Sequence, residues 1–162
     1  MVVRIGIFVA ALVLAGLAYL AISHVYRGEP QSGFLAWQDS ATIARGGDLY
    51  RQNCAACHGI PGASSMPPLA DAPPQDERGH SWEHPDYALF HLVRDGKAVA
   101  NCTPVDPDKM PRFADTLDDE AIIAVLSYIK STWPAETRRY QHAVNEIYAE
   151  NNHALATELS QQ

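Results

Sequence analysis

Cys54-Ala55-Ala56-Cys57-His58 is the stretch on which the reading of this chain turns. Two cysteines three apart with a histidine directly behind the second suit a single chemistry. Both sulfurs can form thioethers with neighbouring vinyl groups along one porphyrin edge, while the imidazole turns under the ring to meet iron. Two rivals share the C-x-x-C spacing. A zinc site needs a second pair of ligands, and the one remaining cysteine, Cys102, stands alone. A thioredoxin-like dithiol has no use for a histidine in that register. The motif therefore reads as covalent attachment of one haem c through Cys54 and Cys57, with His58 as an iron ligand.

Working outward, the chain has 162 residues, enough for one domain with appendages. From Ile5 to Ile22 run eighteen residues without a charge, IGIFVAALVLAGLAYLAI, close to the length that crosses a hydrocarbon core of about 30 Å at about 1.5 Å per residue. The segment reads as a membrane anchor. The competing reading is a cleaved signal peptide with a small-x-small site at Gly16-Leu17-Ala18. Such a peptide would cut its apolar region short inside a longer run, and Tyr19 and Tyr26 suit the outer interface of a retained span.

Beyond position 28 lie all 19 acidic residues and 10 of the 12 lysines and arginines, so the exposed part is acidic. That balance argues against nucleic acid as a partner. The division expected is an anchor over 1–27, a Gly/Pro-containing linker over 28–37, a haem domain over 38–133 and a helical extension over 134–162.

No stretch alternates with a strand period, and the chain reads as all-α. Ser40 is the expected cap of a helix reaching Asn53, with Ile43, Gly47, Tyr50 and Cys54 on one face. From Gly59 to His80 five prolines and three glycines exclude a regular element and predict a loop over the haem edge. Pro85 and Asp86 open a second helix that Gly96 ends. Another proline-punctuated loop covers 97–115. Thr116 is the expected cap of a third helix, which aligns Ile122, Val125, Leu126, Ile129 and Trp133 on one face. After Pro134 a more polar helix is expected from about Ala135 to Glu150, followed by a frayed tail, with His142 and His153 solvated.

The order of helix, C-x-x-C-H, proline loop, helix, methionine loop and helix resembles the class I monohaem cytochromes c over about residues 38 to 133. The resemblance extends to Gly46 and Tyr50, eight and four residues before Cys54, which in that family let the first helix cross the last closely. Val125 and Tyr128 are the matching positions on the last helix. The resemblance implies further that Gly59 continues the motif. It also implies that the Pro67-Pro68-Leu69 step lends a proline carbonyl to His58, and that Trp82 reaches a haem propionate, the alternative for Trp82 being simple burial without a partner. Met110, in Met110-Pro111-Arg112-Phe113 before the last helix, is implied as the second iron ligand. Met66 also precedes a proline, but it lies eight residues after His58, on the proximal side. The implied cofactor-binding set is Cys54, Cys57, His58, Met110, Pro67, Leu69 and Tyr50, with His58 and Met110 on the metal and no catalytic residue.

With both axial positions filled, the implied function is single-electron transfer at the outer face of the cytoplasmic membrane, by a single-pass protein whose haem domain lies in the periplasm or outside. Partners would be redox proteins or subunits of a respiratory or photosynthetic membrane complex. Two alternatives stay open. One is a fixed haem subunit of a larger oxidoreductase, with the extension as a docking element. The other is a haem enzyme or gas sensor, which needs an open iron position. Arg51, Arg94, Lys97, Lys109 and Arg112 flank the two motifs and would turn the acidic body toward an acidic partner site if they shared one face.

Overall fold

The computed structural model describes residues 13–17, 33–64, 67, 69, 71–97 and 110–161. Among them every regular element is a helix. Residues 13–17 are helical and exposed; the rest of the expected span, along with Met66, Pro68, Cys102 and Lys109, lies outside the described residues. No described helix is long and apolar enough to cross a membrane.

Helix α1, Ser40–Asn53, is capped one residue earlier than expected. The Asp39 carboxylate, not the Ser40 hydroxyl, accepts the Thr42 N–H at 2.8 Å, which leaves Ser40 inside the first turn. The chain breaks its helical path at Cys54 and resumes in the short α2, Ala55–His58. A 3₁₀ turn over Ser81–Glu83 precedes α3, Asp86–Asp95, which Gly96 closes in the left-handed conformation at φ 65°. Helix α4 runs Asp119–Ser131; its cap is Asp118, whose carboxylate accepts from Ala121 N at 2.7 Å. Thr116 instead donates its own N–H back to Phe113 O in the turn before. After Pro134 come α5, Ala135–Ile147, and α6, Ala149–Leu159, separated at Tyr148, so an ordered helix replaces the expected frayed tail.

The central contact is α1 across α4. An added Cβ at Gly46 would lie 1.9 Å from the Ala124 carbonyl oxygen and 2.9 Å from Tyr128 Cβ, so the absence of a side chain is what lets the two backbones touch. Tyr50 fills the next turn against Tyr128, ring centroids 5.4 Å apart. Around this crossing pack Ile122, Val125, Leu126, Ile129 and Trp133, all buried, with Leu89 and Phe90 from α3. Each buried aliphatic side chain contributes about 1.5–3 kcal/mol relative to exposure.

Gln31–Gln162 forms one compact unit, so the boundary drawn at 133/134 is not a break in the fold. The reason is polar. Asp86 is fully buried. Its Oδ2 accepts from Phe34 N at 3.0 Å and Leu35 N at 3.2 Å. Its Oδ1 accepts from Gln141 Nε2 and Asn145 Nδ2, each at 3.0 Å, and from Lys130 Nζ at 3.4 Å. Helix α3 starts after Pro85, whose side chain cannot cap it. Its first free N–H groups, on Asp86 and Tyr87, are taken instead by Asn145 Oδ1 at 2.8 Å and Asn152 Oδ1 at 3.0 Å. The polar extension thus supplies the cap of an apolar helix.

A second buried carboxylate fixes the proline loop. Asp76 accepts from Gly62 N at 2.9 Å, from Arg78 N at 3.1 Å, and from Arg78 Nε and Nη2 at 3.0 and 2.6 Å. These bonds, the Arg78 guanidinium first among them, hold its carboxyl down to about 2 against an ordinary value of 3.8. The folded pKa lies below the unfolded one, so this stabilisation is complete above about pH 4 and is lost as pH falls through 2. It is of order 2 kcal/mol. Denaturant midpoints measured between pH 5 and pH 2 should fall less steeply in Asp76→Asn than in the wild type.

Candidate functional site

The break at Cys54 places the two thiols and the imidazole. Cys54 N still donates to Tyr50 O at 2.8 Å, so the first cysteine hangs from the end of α1, while Cys57 and His58 ride on α2. The two cysteines are not bridged to each other. Before any attachment, burial, and then the neighbouring Cys57, push the Cys54 thiol up to about 11. Tyr50 donates its hydroxyl to Gly59 O at 2.9 Å, which closes the motif back onto α1, and burial raises its phenol well above the ordinary range. Its observed role is to fix the backbone on both sides of the motif.

His58 Nδ1 lies 2.8 Å from a proline carbonyl, as the resemblance implies, but the carbonyl is that of Pro73 and not Pro67. The physical reason is the path of the loop. Leu69 N donates to Cys57 O at 3.2 Å, which holds Leu69 beside the backbone of the second cysteine, and the proline that meets the imidazole stands six residues on from Pro67. Leu69 is 41% exposed and Pro67 half-buried. A backbone carbonyl only accepts, so Nδ1 carries the proton and Nε2 keeps its lone pair for a metal.

Gln75 and Trp133 complete this side, and the sequence reading passed over the first of them. Trp133 Nε1 donates to Gln75 O at 3.0 Å, and the Gln75 amide sits between His58 Nδ1 at 3.2 Å and Ser81 Oγ at 2.7 Å. A half-buried amide in the proline loop has no periodic signal that could have marked it.

Met110 is half-buried against the hydrophobic core. The chain just after it is pinned, because Phe113 N and Ala114 N donate to Val93 O and Arg94 O at 3.1 and 3.0 Å, the free carbonyls at the end of α3.

The residues fit a c-type haem on one further observation. Trp82 Nε1 is buried and has no hydrogen-bond partner among the described residues, although its ring packs edge-on against Tyr140 at 5.1 Å. A buried indole N–H is rarely left orphaned, and a haem propionate is the acceptor it suits. Among the histidines, His91 pairs with Asp95 at 3.0 Å, and His84 is buried edge-on to His80. His142 is half-buried rather than solvated, while His153 is exposed.

Three of the five basic residues that flank the two motifs make ion pairs, and Lys109 lies outside the described residues. Arg51 pairs with Asp48, Arg94 with Asp119 at 3.1 Å and Lys97 with Asp95 at 3.5 Å.

Helices crossing at a glycine, a C-x-x-C-H turn with its imidazole backed by a proline carbonyl, and a methionine segment braced on α3 define a class I c-type cytochrome. The chain belongs to the family described as cytochrome C oxidase, cbb3-type, subunit III, which matches residues 41–129. It is 36% identical to a cytochrome c6 from Bryopsis maxima over 89 residues, 52% of this chain and 84% of that protein. It is 30% identical over 94 residues to a cytochrome bc1 complex cytochrome c subunit from Corynebacterium diphtheriae, and 28% over 102 residues to one from Corynebacterium efficiens. Those matches cover 57% and 62% of this chain but only 28% and 29% of the two subunits. No solved structure matches the chain significantly.

Proposed function

We propose that this protein carries single electrons on one c-type haem, held by Cys54 and Cys57 and ligated by His58 and Met110, at the outer face of the cytoplasmic membrane. The observation that carries the reading is the orientation of His58, whose Nδ1 is engaged by Pro73 O while its Nε2 is left for a metal. The bound group would supply one-electron iron chemistry. The chain's own part is to hold the imidazole tautomer with Pro73, to brace the Met110 segment on α3, and to surround the ring with apolar side chains that exclude water.

The uncharged run from Ile5 to Ile22 supports tethering, which would confine the search for redox partners to the membrane plane. A second reading, a fixed haem subunit of a respiratory complex, draws on the family description and on the two relatives named as bc1 complex subunits. Co-purification after gentle detergent solubilisation separates the two: a carrier is recovered alone, a subunit with its complex.

Met110→Ala tests the site. The variant should lose the sulfur-to-iron charge-transfer band of the oxidised protein completely, show a lower midpoint potential, and bind carbon monoxide when reduced. Met66→Ala should leave all three unchanged. A wild type that itself binds carbon monoxide readily would instead establish an open iron position and the enzyme or sensor reading.

A further inference from the structure

The amide of Gln75 lies where a hydrogen bond can act on the imidazole from behind. As placed, its Nε2 is 3.2 Å from His58 Nδ1 and 3.5 Å from Pro73 O, and its Oε1 is 2.7 Å from Ser81 Oγ. Pro73 O, at 2.8 Å, already requires the proton to sit on Nδ1. Two donors would then face each other across 3.2 Å. The conflict disappears when the amide is turned over, since its two ends have the same shape. Oε1 then accepts from Nδ1–H, and Nε2 donates to Ser81 Oγ, a hydroxyl that accepts as readily as it donates.

From this geometry we infer that Gln75 is a positioning residue that gives His58 a second acceptor and thereby sets the reduction potential of the site. The Nδ1–H is shared between Pro73 O and Gln75 Oε1. Ser81 orients the amide, and the Trp133 indole, donating to Gln75 O at 3.0 Å, holds the backbone from which the side chain springs. Two acceptors on one N–H draw the proton away from the ring and leave Nε2 more basic, as outer partners do for metal-bound imidazoles generally. A more basic ligand favours the more positive, oxidised metal, so the amide lowers the potential. The inference rests on the haem reading above and adds to it a residue and a direction.

The test uses the full-length, haem-loaded protein and two substitutions of similar volume. Gln75→Leu removes the acceptor, and Gln75→Glu replaces it with a stronger one. The midpoint potential should rise in Gln75→Leu by about tenfold in the one-electron equilibrium constant, about 59 mV, and should fall below the wild-type value in Gln75→Glu. The His58 Nδ1–H proton resonance should move upfield in the first and downfield in the second. Covalent haem content, measured by the pyridine haemochrome, keeps the two questions apart. Wild type without haem sinks the functional reading itself. Variants that load haem fully yet share the wild-type potential, or that both shift in one direction, overturn the role assigned to Gln75.

Discussion

Alanine at Gly46 is expected to destabilise the protein by more than the about 1–3 kcal/mol typical of overpacking, while alanine at the adjacent Gly47 should change stability by less than about 1 kcal/mol. Both positions are buried on α1 against α4, and both gain helix propensity worth about 1 kcal/mol on losing glycine. They differ in what the new methyl meets. At Gly46 it would lie 1.9 Å from the carbonyl oxygen of Ala124 and 2.5 Å from its carbon, which are helix backbone and cannot yield without separating the helices. At Gly47 the nearest atoms are Tyr128 Cε2 and Cδ2, at 3.2 and 3.3 Å, on a ring that can rotate away by a few tenths of an ångström. Because α1 ends at Cys54, the Gly46 variant should also attach haem poorly. Chemical denaturation with haem quantitation compares the pair, and equal losses at the two positions would show that the crossing is looser than this packing requires.

Removing the Asp86 carboxylate is the second change with a large expected effect. Asp86→Ala removes the acceptor that the Phe34 and Leu35 N–H groups share with the amides of Gln141 and Asn145, and takes the counter-charge from the Lys130 ammonium. Burial already pushes Lys130 below its ordinary pKa, with the Asp86 carboxylate as the main opposing influence. Breaking one partner of such a pair costs about 3–5 kcal/mol. Asp86→Asn should recover part of that, since an amide of the same shape still accepts through one oxygen. Pairing it with Lys130→Met should recover more, because no buried charge is then left over. If the double variant is no more stable than Asp86→Asn alone, the charge on Lys130 is not what the carboxylate offsets.

Much of the architecture could be read along the chain because it is local. The C-x-x-C-H turn has fixed spacing, α3 opens after Pro85 and stops at Gly96, and the buried stripe of α4 repeats with the helix period from Ile122 to Trp133. Capping was legible to within one or two residues only. Asp39 and Asp118 each stand next to a Ser, Thr or Asp that could have served, and the choice depends on which carboxylate the turn brings under the free N–H groups.

By itself, then, the sequence determined the helical class, the family, and the C-x-x-C-H motif, because motif spacing and hydrophobic period are properties of neighbouring residues. Only the tertiary structure decided which partners distant polar groups take. Pro73 rather than Pro67 meets His58, since a loop rich in proline has no repeat from which its path could be inferred. The polar helices after Pro134 proved integral to the fold because Gln141, Asn145 and Asn152 turn inward. A buried amide looks, in sequence, like an exposed one until Asp86 and the uncapped end of α3 supply the hydrogen bonds that make its burial favourable.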